Sequence, residues 1–249
     1  MDPPGCVWVV PRNDLEAVAI VDLLNSASEP VWVTGQPWGA TWAGLEPEFR
    51  ASLSALPKST RIFGVELGGP NPYGARDIDH HRYQDEDRWR PESSIEQVAA
   101  ELGIGLDRRQ QLIAANDRGY IPEMRRMGAS PQEIDAIRAA DRRAQGLTEA
   151  DERQAKEDVR AAVLVRPGCF IAACSRPTSA HLDALADSAV EVLLVGQDEW
   201  LYSGPRYCEL AGKPWKQTNW SGGQDKEGYF GIKRPDDDAR AAIQSWFGS

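Results

Sequence analysis

Cys6-Val7-Trp8-Val9-Val10-Pro11-Arg12-Asn13-Asp14-Leu15-Glu16 is the stretch on which the fold turns. Its first half is an apolar, β-branched run bounded by proline, the pattern of a buried strand. Its second half passes into a helical period, with Leu15, Val18, Ala19 and Leu23 on one face. Asn13, followed three residues later by Glu16, reads as an N-terminal capping pair for that helix. A buried strand feeding directly into a helix is the unit from which parallel sheets are assembled.

Working outward, Pro30 to Thr34 and Arg61 to Leu67 read as two more strands, each running into glycine and proline. Strand, helix, strand, connection, strand predicts a parallel sheet with crossover connections, in which function gathers at the carboxyl ends of the strands. Polar residues stand at those ends: Asn13, Asp14 and Glu16 after the first strand, Glu66 at the tip of the third. The next extended piece is Arg76-Asp77-Ile78-Asp79-His80-His81-Arg82. The protein has only three histidines, and two of them are here, behind alternating aspartates. Imidazole is a borderline-soft metal ligand and a proton carrier, while nearby carboxylates bind hard cations or fix its tautomer. Taken alone, the stretch fits a solvated polar loop equally well. Its company at successive strand ends favours a site.

A chain of 249 residues, 41% hydrophobic and 27% charged, can bury a sizeable core in one large or two small domains. A net charge of −10 lacks the broad basic surface that long duplex nucleic acid requires. It leaves room for a small anionic ligand held by a local basic patch and a divalent cation. Cys6, Cys169, Cys174 and Cys208 show no zinc-type spacing, and the N-terminal residues carry no basic region followed by an apolar run. Both features predict a reduced, cytoplasmic protein with ordinary buried thiols. No apolar stretch is long enough to span a membrane.

Beyond the histidines, Ser93, Ser94 and Glu96 open a helix that Gly103 closes, and a second helix from about Arg108 to Ala115 delivers Asn116, Asp117, Arg118 and Gly119. Ser130, Pro131 and Glu133 mark another start. Thr148 and Asp151 head a charged segment whose mixed signs read as a solvated helical connector. Short β-like runs then surround a Pro-Gly turn, followed by an apolar strand, Val190 to Val195, and a closing helix, Ala239 to Phe247. The organisation expected is residues 1–147 as a parallel-sheet α/β domain, 148–162 as the connector and 163–249 as a smaller α/β domain.

With these elements in place, the chain resembles the DHH phosphoesterase superfamily, whose members include RecJ-type exonucleases, oligoribonucleases and family-two pyrophosphatases. Asp79-His80-His81 matches the name-giving motif, and Asn116-Asp117-Arg118-Gly119-Tyr120 looks like the later Asp-x-Gly motif. Pro11 to Glu16 resembles the first motif, usually Asp-x-Asp, and Glu66 stands where the family has an aspartate. Gly222 and Gly223, in Asn219-Trp220-Ser221-Gly222-Gly223, resemble the glycine-rich motif of the second domain. The resemblance implies that Asp14, Glu16, Glu66, His80 and Asp117 hold one or two Mn²⁺ or Mg²⁺ ions. It further implies that Asp79 orients His80, that His81 contacts phosphoryl oxygens, and that Gly222 and Gly223 bind substrate. Two cations in such a site can lower the pKa of a water and neutralise a leaving oxygen. The chain departs from the family in spelling two aspartates as Glu16 and Glu66, and in placing Arg12 where a histidine is frequent.

Arg118 could hold phosphate bidentately. In the C-terminal region aromatics such as Trp215, Trp220 and Tyr229 interleave with Lys213, Lys216, Lys226 and Lys233, a mixture able to stack a base and hold its phosphate or simply to fill a core. Trp220 is the aromatic expected at the ligand. His181 opens an apolar helix and reads as structural. No Walker loop or glycine-flanked serine elbow appears. The expected function is hydrolysis of a phosphoester in a small nucleotide or short oligonucleotide. Two alternatives stay open: a degenerate nucleotide-binding or protein-interaction module, motivated by the altered motifs, and a hydrolase of a non-nucleotide phosphate such as pyrophosphate.

Overall fold

The apolar run becomes β1 (Cys6–Pro11), and the chain enters α1 (Leu15–Ser26) after a three-residue turn. A computed structural model describes residues 5–83, 86–224 and 227–248; Lys226 lies outside them. β2 (Val31–Thr34), α2 (Pro47–Ser54), β3 (Arg61–Val65) and β4 (Arg76–Ile78) follow. β1 pairs in parallel with both β2 and β3, and β3 with β4, giving the order β2-β1-β3-β4. The expected parallel α/β sheet is present. Val7 and Val9 of β1 point to one side, where they pack with Trp42, Leu45 and Leu53. Trp8, between them in sequence, stacks on Phe63 of the neighbouring strand at 4.1 Å between centroids. Covering both faces is what allows the strand to be apolar throughout.

β5 (Arg82–Tyr83) comes next, then α3 (Ser94–Leu102), α4 (Arg108–Arg126), α5 (Pro131–Ala144) and α6 (Glu149–Arg160). The three predicted helix starts at Ser93, Ser130 and Thr148 are all capping boxes, and Gly103 closes α3 in the left-handed conformation with φ 68°. Two sequence expectations need correction. The cap of α1 is Asp14, whose Oδ1 accepts from the Ala17 N–H at 2.8 Å, and not an Asn13 and Glu16 pair. Glu16 instead turns into the interior and accepts from the backbone N–H of Ile95 at 3.0 Å. Likewise, α4 does not stop at Ala115. It runs on through Asp117 and breaks only at Gly119 and Tyr120, the latter with φ 59°. Partners from other helices explain the extension: Asn116 Oδ1 accepts from Arg138 at 2.9 Å, and Arg118 pairs with Glu96.

β6 (Val163–Arg166), β7 (Cys169–Ala173), α7 (Ser179–Leu185), β8 (Glu191–Val195), β9 (Glu199–Gly204), α8 (Tyr207–Ala211), β10 (Asn219–Gln224), β11 (Glu227–Lys233) and α9 (Asp237–Gly248) complete the chain. They form a seven-stranded mixed sheet in the order β5-β10-β11-β9-β8-β7-β6. Contacts divide the chain into two units: Met1–His80, Arg88–Arg118 and Met127–Gly146 in the first, and His81–Asp87, Gly119–Arg126 and Leu147–Ser249 in the second. α6 packs on α7 and β7 inside the second unit. There, Trp200, Tyr202, Tyr207 and Phe230 are core residues, so much of the aromatic content is structural. His181 is structural too, held by Thr178 at 2.8 Å and Asp158 at 3.1 Å. All four cysteines are free of disulfides, and only Cys169 is buried: Cys6 and Cys174 are partly exposed and Cys208 exposed, against the expectation that every thiol is buried. No described helix is long and apolar enough to cross a membrane.

Candidate metal centre

In the first unit, the carboxyl ends of β1, β3 and β4 bring Glu16, Glu66 and His80 together, and α4 adds Asp117. Glu66 follows β3 immediately. Its φ of 49° is left-handed, a conformation that costs a residue with a Cβ and that its surroundings must hold in place. The Glu66 N–H donates to Ile78 O at 2.9 Å, tying the end of β3 to that of β4, two residues before His80. His80 Nε2 lies 2.5 Å from Asp117 Oδ2, 3.6 Å from Glu66 Oε1 and 4.0 Å from Glu16 Oε2. Ligand atoms of Glu66, His80 and Asp117 fall within 4.8 Å of one another.

Burial makes this arrangement costly on its own. Glu16 is 2% exposed and His80 3%. Glu16 Oε2 is enclosed and, among the described residues, has no donor at hydrogen-bond geometry. Burial first, then repulsion by Asp117 and Glu66, pushes the Glu16 carboxyl well above the usual carboxylate range. Asp14 is raised for the same reasons, by burial and then by Glu66, Asp117 and Asp141. For His80, burial acts to lower the imidazole, yet the charge of Asp117 and bonds to Asp117 and Glu66 outweigh it and hold the ring well above its ordinary value. Several carboxylates and an imidazole facing one another out of water form the donor set of a hard or borderline divalent cation. The residues present fit Mn²⁺ or Mg²⁺.

A hydrogen-bonded frame that the sequence reading missed supports the cluster. Asp141 Oδ1 accepts from the Leu15 N–H at 3.2 Å, and its Oδ2 accepts from Arg138 at 2.6 Å. Arg138 also holds Asn116, the neighbour of Asp117. The frame thus joins the start of α1 to α5 and α4. Its only sequence signal is a pair of charges at i and i+3 on an amphipathic helix, which surface helices share. Asp79 Oδ1 accepts from the backbone N–H of His80 at 2.8 Å and so holds the main chain from which the imidazole projects.

The remaining predicted residues belong to the second unit. Gly222 stands opposite Tyr229 in the β10–β11 ladder, and a Cβ there would come 2.6 Å from Tyr229 Oη and 3.1 Å from His81 Cδ2. His81 is therefore beside Gly222. Gly223, with φ 103°, gives its carbonyl to the Tyr207 hydroxyl at 3.0 Å. Trp220 is nearly buried; its ring covers Gly231, and Lys233 Nζ lies 5.8 Å from its centroid.

The fold and cluster define a class: an α/β protein with a buried carboxylate and imidazole centre at the carboxyl ends of a parallel sheet. No protein-family profile and no curated protein matches the chain. Among solved structures it is similar to a pGpG-specific phosphodiesterase, PggH, from Vibrio cholerae, at 12% identity and a TM-score of 0.40, covering 97% of each chain. It is also similar to the exonuclease RecJ bound to manganese, at 9% identity and a TM-score of 0.43, covering 98% of this chain and 89% of that one. Both likenesses are distant, and what the centre can do rests on its own atoms.

Proposed function

We propose that the protein is a divalent-metal-dependent phosphoesterase acting on a small nucleotide or short oligonucleotide. The observation that carries the reading is the convergence of Glu16, Glu66 and Asp117 on His80 Nε2 in a buried site. Asp14, Glu16, Glu66, His80 and Asp117 would hold one or two Mn²⁺ or Mg²⁺ ions. Such an ion, when bound, polarises a phosphoryl oxygen and makes water a stronger nucleophile at neutral pH.

The chain's own groups do the rest. Asp79 fixes the His80 backbone, and the Glu66 and Glu16 carboxylates face its Nε2 at 3.6 and 4.0 Å. His81 hydrogen-bonds the phosphoryl oxygens, and Arg118, fixed by Glu96, offsets their charge. Gly222 and Gly223 contribute to substrate binding, Gly222 by sparing His81 and Tyr229 the pressure of a side chain. Trp220 gives the base an apolar neighbour.

Release of mononucleotide from a dinucleotide by the purified protein with Mn²⁺, abolished by His80→Ala, is the expected result. A wild type and a His80→Ala variant equally silent on dinucleotides, bis-p-nitrophenyl phosphate and pyrophosphate would defeat the enzyme reading. Nucleotide binding retained in that case would identify a binding module instead.

A further inference from the structure

Arg88 has a buried guanidinium, 9% exposed, in a protein whose other basic side chains are mostly at the surface. Its Nη1 donates to the Leu67 carbonyl at 2.8 Å and its Nη2 to the Gly69 carbonyl at 3.3 Å. Nη1 also lies 3.6 Å from Asp77 Oδ1 and 3.6 Å from Asp79 Oδ2. All of these groups belong to the first unit.

The two carbonyls are those of the turn that aims Glu66. Leu67 directly follows Glu66 and its left-handed φ, and Gly69 is itself at φ 77°. A strained turn of this kind persists only where its surroundings over-determine it. Asp79 directly precedes His80, and its other oxygen accepts the backbone N–H of His80. One rigid, planar fork therefore grips the chain just after one metal-ligand candidate and the carboxylate just before another. Only arginine has donors spaced to bridge two carbonyls while standing against a carboxylate; a lysine offers one compact ammonium.

We infer that Arg88 is a positioning residue for the metal centre, setting Glu66 and His80 relative to each other through Leu67, Gly69 and Asp79. The inference rests on the metal-centre reading and adds a residue to it. Groups behind metal ligands commonly govern affinity by tenfold or more, because a ligand oxygen displaced by a fraction of an ångström loses its bond.

Arg88→Lys and Arg88→Gln separate this role from plain stability when three quantities are measured on each. These are Mn²⁺ affinity by calorimetry, the thermal midpoint, and amide hydrogen exchange at Glu66 and His80 in the metal-free protein. Arg88→Lys is expected to keep a midpoint close to wild type, to bind Mn²⁺ about ten- to a hundredfold more weakly, and to exchange both amides faster. Unchanged Mn²⁺ affinity in both variants overturns the proposal. So does a loss of affinity with wild-type exchange at Glu66 and His80, which would mean that the effect does not travel through those segments. If the wild type takes up no Mn²⁺ yet both amides exchange faster in the variants, the metal reading fails and the positioning of Glu66 and His80 stands. If the wild type takes up no Mn²⁺ and exchange is unaltered, both fall.

Discussion

Nε2 of His80 and Oδ2 of Asp117 approach to 2.5 Å, with Glu66 Oε1 3.6 Å and Glu16 Oε2 4.0 Å from the same nitrogen. This closeness has a consequence for pH. Asp14, Glu16 and His80 each bind a proton more tightly folded than unfolded. Where the native state holds more protons than the unfolded one, stability falls as pH rises. The decline begins above the unfolded values, about 4 for the carboxyls and about 6.5 for the imidazole. It continues through the raised folded values. The thermal midpoint of the metal-free protein is therefore expected to drop from pH 5 toward pH 8, and saturating Mn²⁺ should flatten the slope by replacing protons with a cation. Equal slopes with and without Mn²⁺ would count against the centre.

Glu16 divides its work between two oxygens. Oε1 accepts the buried Ile95 N–H at the start of α3, while Oε2 faces the cluster without a donor. Glu16→Gln keeps an acceptor for Ile95 and removes the charge; Glu16→Ala removes both. A buried N–H left without a partner costs about 1–3 kcal/mol. Urea unfolding of the metal-free proteins should place Glu16→Ala below Glu16→Gln by about that amount, with Mn²⁺ affinity lowered in both. Two variants of equal stability would show that the Ile95 bond contributes nothing.

Asp141 carries the frame behind the site. Its removal as Asp141→Ala leaves Arg138, 4% exposed, without its carboxylate and deprives Leu15 N–H of its acceptor. Breaking one partner of a buried ion pair costs about 3–5 kcal/mol. A loss of that size is expected in urea, and Arg138→Met with Asp141→Leu together should recover much of it. A near-neutral Asp141→Ala would mean that water reaches Arg138.

The strand ends were legible because apolar β-branched runs bounded by glycine and proline have little alternative, and the capping boxes at Ser93, Ser130 and Thr148 were legible because their chemistry is local. The carboxylates at those ends could be gathered from the sequence for the same reason. What was not legible depends on distant partners. Asn13 and Glu16 spell a capping pair, yet the interior site claims Glu16 and leaves the cap to Asp14. Asp117 stands two residues before a glycine, past the expected helix end at Ala115, yet α3 and α5 supply side chains that let α4 continue. β10 and β11 were hidden by their glycines, which the ladder needs: a Cβ on Gly231 would lie 2.1 Å from the Trp220 ring. Arg88 and Arg138 look like any other surface cations until their carbonyl and carboxylate partners are placed.

The cysteines offer a test of burial that is independent of the site. Burial, helped by Glu29, pushes the Cys6 thiol up to about 11, and burial pushes Cys174 up to about 12. Cys169 is also raised, chiefly by burial. Cys208 is exposed. A disulfide reagent at pH 8 is expected to label one thiol quickly, and Cys208→Ser should eliminate that phase. The slow phase from Cys6 should quicken steadily as pH rises from 8 and level off only above about 11, as its thiolate fraction does. Rapid labelling of two or more thiols at pH 8 would contradict the packing around Cys6 and Cys174.

Gly222 tests whether the second unit contributes to substrate binding separately from metal binding. A methyl there would come 2.6 Å from Tyr229 Oη and 3.1 Å from His81 Cδ2. The phenol can swing at its far end, but the imidazole, 8% exposed, has little space to yield. Overpacking of this kind costs about 1–3 kcal/mol, so Gly222→Ala should fold. Displacing His81 should raise KM for a dinucleotide several-fold, with Mn²⁺ affinity at the Glu66, His80 and Asp117 cluster unchanged. If KM stays at the wild-type value while stability falls, His81 and Gly222 are packing partners and the phosphoryl contact belongs to another residue. If Mn²⁺ affinity falls with KM, the methyl has disturbed His80 through the chain, and Gly222→Ala combined with Tyr229→Phe, which relieves the closest contact, should restore the metal first.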